Sequence, residues 1–130
     1  VVNRVMEGLN DRSKALRGSR VLVLGVAYKP DIDDVRESPA LDVIGLLQQK
    51  GATVEYHDPY IPHIHHEYDG WQMDSVNDLM KSVKESDVVV IVTNHKDYDY
   101  KSIIEASKFV FDSRNATSKV AKNHEKVERL

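Results

Sequence analysis

The sequence predicts an α/β fold: a three-layer, Rossmann-like domain with a mainly parallel sheet, preceded by the end of a connector helix. Strand-like apolar runs alternate along the chain with segments of helical periodicity. The runs at 21–27 and 86–95 are rich in β-branched residues, as expected of strands that are buried on both faces of a parallel sheet. Helices that join such strands through right-handed crossovers cover both faces.

Residues 1–17 are predicted to form the end of a central connector helix. An apolar stripe with three-to-four spacing makes the segment amphipathic. The members of the stripe are Val2, Val5, Met6 and Leu9. Because no capping residue or initiator methionine precedes the helix, we expect it to be a piece of a longer polypeptide. A short helix with nothing to pack against frays in water, so we expect partial fraying here.

The domain proper is predicted at 18–118, and its first half starts with the apolar strand described above. Ser38 and Pro39 then begin a helix, because a serine side chain caps free backbone amides and proline fits the first helical position. Gly51 is a typical residue just beyond a helix end. The sequence continues with a strand at 52–59 and a polar, histidine-rich loop at 60–70.

The second half of the domain alternates helix and strand. A helix is predicted around 76–83, where apolar residues recur every three or four positions. The run at 86–95 is the longest β-branched stretch and therefore predicts a central strand. Next come a short helix at 100–106 and a last strand at 108–115. Residues 119–130 are polar and highly charged, and we expect a loose C-terminal tail.

Composition narrows the class of protein. The 130 residues suit one domain, and 41% of them are hydrophobic, which is enough for a core. The formal net charge of −3 gives no electrostatic basis for binding nucleic acid or an acidic membrane surface. No apolar run approaches the roughly 20 residues that span a bilayer. Cysteine is absent, which excludes disulfides, thiolate metal sites and a cysteine nucleophile in this chain. We expect a cytoplasmic protein.

The loop between the first strand and its helix is a candidate anion site. It carries Lys29 and Arg36 and leads to a helix N-terminus, which attracts negative charge. The usual dinucleotide fingerprint needs three glycines, and only Gly25 is present. Asp58 lies further along than the roughly 20 residues at which a ribose-binding acid is expected. A solvated turn with internal ion pairs is an equally good interpretation of this loop.

Histidines provide two further candidates. His63, His65 and His66 are close in sequence, but their spacing matches no structural zinc pattern, and we predict no metal site. His95 could be a catalytic base on its residue type alone. Its place after a strand favours a structural or pocket-lining role.

An ordered set of motifs resembles one known family. The motifs are GVAYKPDIDDVRESPA at 25–40, YHDP at 56–59, Thr93 followed by His95 and Tyr98, and DSRN at 112–115. Together they resemble the C-terminal, UDP-binding domain of the UDP-glucose/GDP-mannose dehydrogenase family. The spelling of the first motif and His95 are most similar to the UDP-N-acetylglucosamine 6-dehydrogenases of that family.

The resemblance implies roles for individual residues. Lys29 and Arg114 would contact the diphosphate and UDP moiety of the nucleotide sugar, and Tyr28 would wall the nucleotide pocket. Arg36 would reach across to NAD. Asp34 would orient these cations, or else form a simple loop-stabilising ion pair.

The resemblance also implies the activity of a larger enzyme. Family members oxidise the C6 hydroxyl of a nucleotide sugar to a carboxylate, with two hydride transfers to NAD through a cysteine intermediate. The cysteine and the main NAD site would lie in an N-terminal domain of the same polypeptide, so the isolated chain is expected to be inactive. Its partners would be a UDP-sugar, that N-terminal domain and, at full length, a second copy in a homodimer. Its role would be polysaccharide precursor synthesis.

Two other functions are compatible with the pattern. A non-catalytic, Rossmann-like assembly module would use the apolar stripe of the first helix as a dimer interface. A response-regulator-like domain has the right size, but the sequence lacks the acidic cluster and paired lysine that such a domain needs.

Overall fold

The structure, a computed structural model, describes residues 1–31, 38–65, 71–120 and 125–130. Four helices and seven strands are present in these ranges. In chain order they are α1 (Val2–Asp11), β1 (Arg20–Leu24), α2 (Pro39–Gln49), β2 (Thr53–His57), β3 (His63–His65), β4 (Gln72–Asp74), α3 (Leu79–Glu85), β5 (Val88–Ile91), α4 (Tyr100–Ala106), β6 (Val110–Asp112) and β7 (Val127–Arg129).

Five strands form one parallel sheet in the order β2-β1-β5-β6-β7. The pairing aligns the last residues of four strands in one row: His57, Leu24, Ile91 and Asp112. This row marks the carboxyl edge of the sheet. From β1 the chain first adds β2 on one side and later β5 on the other, so the strand order reverses between β1 and β5. Ligands of open α/β sheets bind at such a reversal.

Helices cover both faces of this sheet. On one face α1 and α2 pack against β1 and β5, and Leu9, Ile44 and Val23 are buried there. On the other face Val83, Ile104 and Leu22 belong to a second core made with α3 and α4. The predicted three-layer, mainly parallel α/β architecture is therefore confirmed.

The helix α2 has the ends that its sequence predicts. The Ser38 hydroxyl oxygen accepts a hydrogen bond from the amide of Ala40 at 3.2 Å, and Pro39 is the first helical residue. Gly51 follows the C-cap residue with a φ of +94°, a conformation that glycine adopts without strain. The helix α3 begins at Leu79, later than the apolar periodicity indicates, because the side chain of Asp78 caps it.

The expectation that the first helix frays for lack of a packing partner is wrong. Val2, Val5 and Leu9 are buried against the sheet of the same chain, and Met6 alone of the stripe is exposed. Arg12 secures the end of α1, since its guanidinium lies 3.9 Å from the ring centroid of Phe109. The stripe thus belongs to the core of this domain.

Two segments expected to be irregular contain strands. The loose tail predicted at 119–130 includes β7, where Val127 is 9% exposed and the Lys126 carbonyl accepts from the Val110 amide at 2.9 Å. Within the predicted loop at 60–70, β3 pairs with β4 in an antiparallel hairpin that buries Ile64. Both strands have three residues with one buried apolar side chain, which is too short a pattern to be recognised in a sequence.

The described helices include none that is both long and apolar enough to cross a membrane.

Candidate anion site at the carboxyl edge of the sheet

Two loops with exposed cations leave the carboxyl edge on either side of β5. Lys29 lies in the loop that follows β1, and Arg114 lies in the loop that follows β6. Since neighbouring strands are spaced by about 4.8 Å, the two loops start about 10 Å apart. The side chain of Tyr28 accompanies Lys29, with the Lys29 Nζ 5.7 Å from its ring centroid. Tyr28 is 47% exposed. The structure thus brings all three predicted substrate residues to one edge.

The start of the Lys29 loop is shaped by Gly25 and Asp58. Gly25 has a φ of +83°, and a Cβ there would lie 2.4 Å from the carbonyl oxygen of Thr93, so only glycine fits. The buried Asp58 follows β2, and its Oδ2 accepts from the amides of Val26 at 2.8 Å and Ala27 at 3.1 Å. These bonds turn the chain as it leaves β1.

His95 links this turn to Asp31, further along the loop. Its Nδ1 lies 2.7 Å from the backbone nitrogen of Asp31, and its Nε2 lies 2.8 Å from Asp58 Oδ2. Because a backbone N–H can only donate, Nδ1 accepts, and Nε2 therefore carries the hydrogen and donates to the carboxylate. The ring is fully buried. These contacts and this burial agree with the structural or pocket-lining role favoured for His95.

The Arg114 loop is folded around the carboxylate of Asp112 in a similar way. Asp112 is fully buried, and its Oδ1 accepts from the amides of Arg114 at 3.0 Å and Ala116 at 3.1 Å. Its Oδ2 accepts from the amide of Thr117 at 2.8 Å and from the Thr117 hydroxyl at 2.6 Å. The loop therefore holds one conformation and points the exposed Arg114 away from the core.

A second arginine, missed by the sequence analysis, lies beside Arg114. Arg129 is at the end of β7, and both arginines line a surface depression of about 370 Å³. The Arg129 Nη2 donates to the Thr117 hydroxyl at 2.9 Å, which ties β7 to the Arg114 loop. No sequence signal could have found Arg129, because its position depends on a strand that the sequence does not indicate.

Tyr98, after β5, and His57, at the end of β2, are joined by hydrogen bonds at the carboxyl edge. The Tyr98 hydroxyl donates to the His57 carbonyl at 2.7 Å, and the same oxygen lies 2.9 Å from His57 Nδ1. Since the hydroxyl has one hydrogen, Nδ1–H is the donor in the second bond. Burial lowers the pKa of His57 and outweighs the opposite effect of Asp58; His95 lowers the pKa further. Burial also raises the pKa of Tyr98.

Several predicted features lie outside the described residues. Arg36, Asp34 and the ion pairs proposed for their part of the loop fall in the range 32–37, and His66 falls in the range 66–70. Within the described part of the chain, no group of three or more potential metal ligands is present.

A larger concavity, of about 860 Å³, lies at the opposite, amino edge of the sheet. Its charged side chains include ion pairs: Arg12 with Glu128 at 3.1 Å and Lys14 with Asp87 at 3.2 Å. Charges that already neutralise one another are poor receptors for an anion. The carboxyl edge is therefore the better candidate for an anionic ligand.

The described residues do not fit a complete dinucleotide. In a dinucleotide domain a carboxylate near the end of the second strand receives the ribose hydroxyls. Asp58 occupies the corresponding place, but it is 3% exposed and its oxygens already accept from Val26, Ala27, Tyr60 and His95. Only Gly25 represents the glycine fingerprint. Within the described residues, this sheet therefore offers no adenosine site of the usual kind for NAD.

Fold and site together define a doubly wound α/β domain with a candidate anion site at its strand reversal. The chain belongs to the UDP-glucose/GDP-mannose dehydrogenase family, because the model of that family's UDP binding domain matches residues 22–119. The resemblance inferred from the motifs is thereby confirmed.

Individual relatives agree with this assignment. UDP-glucose 6-dehydrogenase TuaD of Bacillus subtilis (strain 168) is 30% identical over 109 residues, which cover 80% of this chain and 24% of that protein. A structure of UDP-D-ManNAc dehydrogenase from Pyrococcus horikoshii has 28% identity and a TM-score of 0.72, covering 88% of this chain and 26% of its own. The chain spans about a quarter of the length of the curated relatives it matches.

A third comparison concerns the fold alone. The structure of NDP-N-acetyl-D-galactosaminuronic acid dehydrogenase from Methanosarcina mazei Go1 matches 99% of this chain and 27% of its own, with a TM-score of 0.79 at 23% identity.

Proposed function

We propose that this chain is the nucleotide-sugar-binding C-terminal domain of an NAD-dependent UDP-sugar 6-dehydrogenase. The whole enzyme would oxidise the C6 hydroxyl of the sugar to a carboxylate in the cytoplasm, for polysaccharide precursor synthesis. The observation that carries this proposal is the placement of Lys29 and Arg114, in loops shaped by buried carboxylates, at the same edge of a UDP-binding-family sheet.

Each predicted residue would have a distinct part in binding. Arg114 can grip a phosphate through two parallel hydrogen bonds, whereas Lys29 supplies a compact charge. The exposed ring of Tyr28 offers a flat apolar surface for the nucleotide. Arg36 would contact NAD held mainly by the N-terminal domain, where NAD would accept the hydrides. The chain has no cysteine, so the covalent step would also use a residue of that other domain.

The choice of sugar rests on the residues of the first motif, at 25–40, and on His95. We propose UDP-N-acetylglucosamine or a related N-acetylhexosamine as the substrate, with UDP-glucose as the alternative. Relatives named as UDP-N-acetyl-D-mannosamine dehydrogenase and as UDP-glucose 6-dehydrogenase both match this chain, which is compatible with either choice.

The alternative of an assembly module loses its main support. Its proposed interface was the apolar stripe of α1, but Val2, Val5 and Leu9 are buried in the core of the same chain. Met6, 37% exposed, is the member of the stripe left for a partner.

Isothermal titration of the chain with UDP tests the proposal. Lys29→Ala and Arg114→Ala should each weaken binding about tenfold or more, because a hydrogen bond to a charged group contributes about 1.5–3 kcal/mol. Lys108→Ala is the matched control, since Lys108 is an exposed cation at the amino edge. Equal losses in all three variants, or none in the first two, would reject the site.

A further inference from the structure

The described part of the loop that carries Lys29, residues 25–31, is held at both ends by one buried pair. Asp58 Oδ2 accepts from the amides of Val26 and Ala27 at the start of the loop. His95 donates to that same oxygen and accepts from the amide of Asp31 at the far end. Lys29 thus lies between two fixed points that share a single histidine.

The far anchor depends on an unusual backbone conformation. Asp31 has a φ of +62°, in the left-handed region that only a few residue types tolerate. Its amide donates to His95 Nδ1, and its own Oδ1 accepts from the amide of Lys96 at 2.9 Å. Aspartate is one of the residue types that adopt this conformation, and these two bonds help to hold it there.

We propose that His95, in its neutral Nε2–H form, is a positioning residue for the nucleotide diphosphate because it joins Asp58 to the Asp31 amide and so sets the place of Lys29. The inference rests on the proposed function, since the ligand that would contact Lys29 is the nucleotide sugar. A neutral imidazole suits this place because it has one donor and one acceptor at opposite positions of the ring.

The link requires an acceptor at Nδ1, because the Asp31 N–H lies 2.7 Å away and can only donate. The charged and titratable groups around the ring come from several elements: the carboxylates of Asp58 at 2.8 Å and Asp31 at 3.9 Å, the rings of Tyr60 and Tyr98, and His57 beyond Tyr98. Loss of the His95 hydrogen bonds would thus release the loop and weaken binding of the diphosphate.

Two variants separate the effect of the His95 hydrogen bonds from the effect of the volume of its side chain. His95→Gln keeps a donor and an acceptor, whereas His95→Phe keeps a ring and has neither. The ligand is UDP-glucose, whose diphosphate is esterified at both ends. His63→Gln, on the exposed hairpin, is the matched control for the loss of a histidine.

The expected results differ for each variant. At pH 7.5, His95→Phe should bind UDP-glucose about tenfold more weakly or worse, and His95→Gln should stay within about threefold of the natural chain. His63→Gln should bind as the natural chain does. Full affinity in His95→Phe, or a loss in His95→Gln as large as that in His95→Phe, would overturn the inference.

Hydrogen exchange tests the link without ligand. The Asp31 amide should be protected in the natural chain and lose protection relative to the Thr53 amide in His95→Phe at the same pH. The Thr53 amide donates to Ser19 at the opposite end of the sheet. Unchanged relative protection would refute the role of His95. If the natural chain failed to bind UDP-glucose while Asp31 behaved as expected, the proposed function alone would fail.

Discussion

At the scale of single residues, two buried aspartates hold two loops of the carboxyl edge in the same way. Asp58 and Asp112 each lie at the end of a strand, and each carboxylate accepts four hydrogen bonds. A buried negative charge is strongly unfavourable unless such bonds replace its water. The charge and the backbone amides therefore stabilise each other, and the result is a rigid base for an exposed cation.

Replacing Asp112 by asparagine tests whether its carboxylate stabilises the Arg114 loop. The side-chain amide would set an N–H group against a backbone or hydroxyl donor of the loop, so at least one bond would be lost. We expect the free energy of unfolding to fall by about 2 kcal/mol, and UDP binding to weaken as Arg114 loses its place. Urea denaturation measures the first effect.

The matched control is Asp74→Asn. Asp74 is 81% exposed at its side chain, and we expect a change within about 0.5 kcal/mol. If Asp112→Asn were as stable as Asp74→Asn, the carboxylate would not be what shapes the Arg114 loop.

The motifs already contained both aspartates, yet their roles could not be predicted. A motif shows that Asp58 follows a strand, but the amides that it accepts from belong to residues 26, 27 and 60 and its fourth donor is His95. Such pairings join distant parts of the sequence and depend on the three-dimensional path of the loops.

At the scale of elements, local signals predicted long segments and failed for short ones. The helix α2 has a serine cap, a proline at its first position and a glycine beyond its end, and these act within a few residues of each other. The strands β3 and β7 instead depend on pairing with other segments. Arg129 was missed for this reason, although the parallel sheet itself correctly predicted that Lys29 and Arg114 lie at one edge.

The docking of β7 can be tested at Val127. Its side chain is 9% exposed and belongs to the core under α3 and α4, so Val127→Asp should lower the free energy of unfolding by about 2 kcal/mol. Val120→Asp is the control, because Val120 is 50% exposed in the same part of the chain. Equal denaturation midpoints for the two variants would show that β7 is not docked and that the C-terminal tail is loose, as the sequence suggested.

At the scale of the whole molecule, His57 couples stability to pH. Its folded-state pKa is lowered, first by burial, so the unfolded chain binds more protons over the interval between the two pKa values. Its contribution to stability is therefore complete above about pH 6.5 and decreases as pH falls towards the lower, folded value. We expect the natural chain to denature at less urea at pH 5.5 than at pH 7.5.

Comparison with His57→Asn isolates this contribution, because asparagine does not titrate. The variant should lose less of its stability than the natural chain between the two pH values, whatever its stability at pH 7.5. An equal loss in both proteins would show that His57 has no part in the effect.

The central claim concerns the whole molecule: cations from two loops, separated by β5, hold one diphosphate at the carboxyl edge of the sheet. The most direct measurement is a crystal structure of the chain with UDP. We expect the phosphate oxygens within hydrogen-bond distance of Lys29 Nζ and of the Arg114 guanidinium. UDP bound at the amino edge, beside Arg12 and Lys108, would contradict the claim.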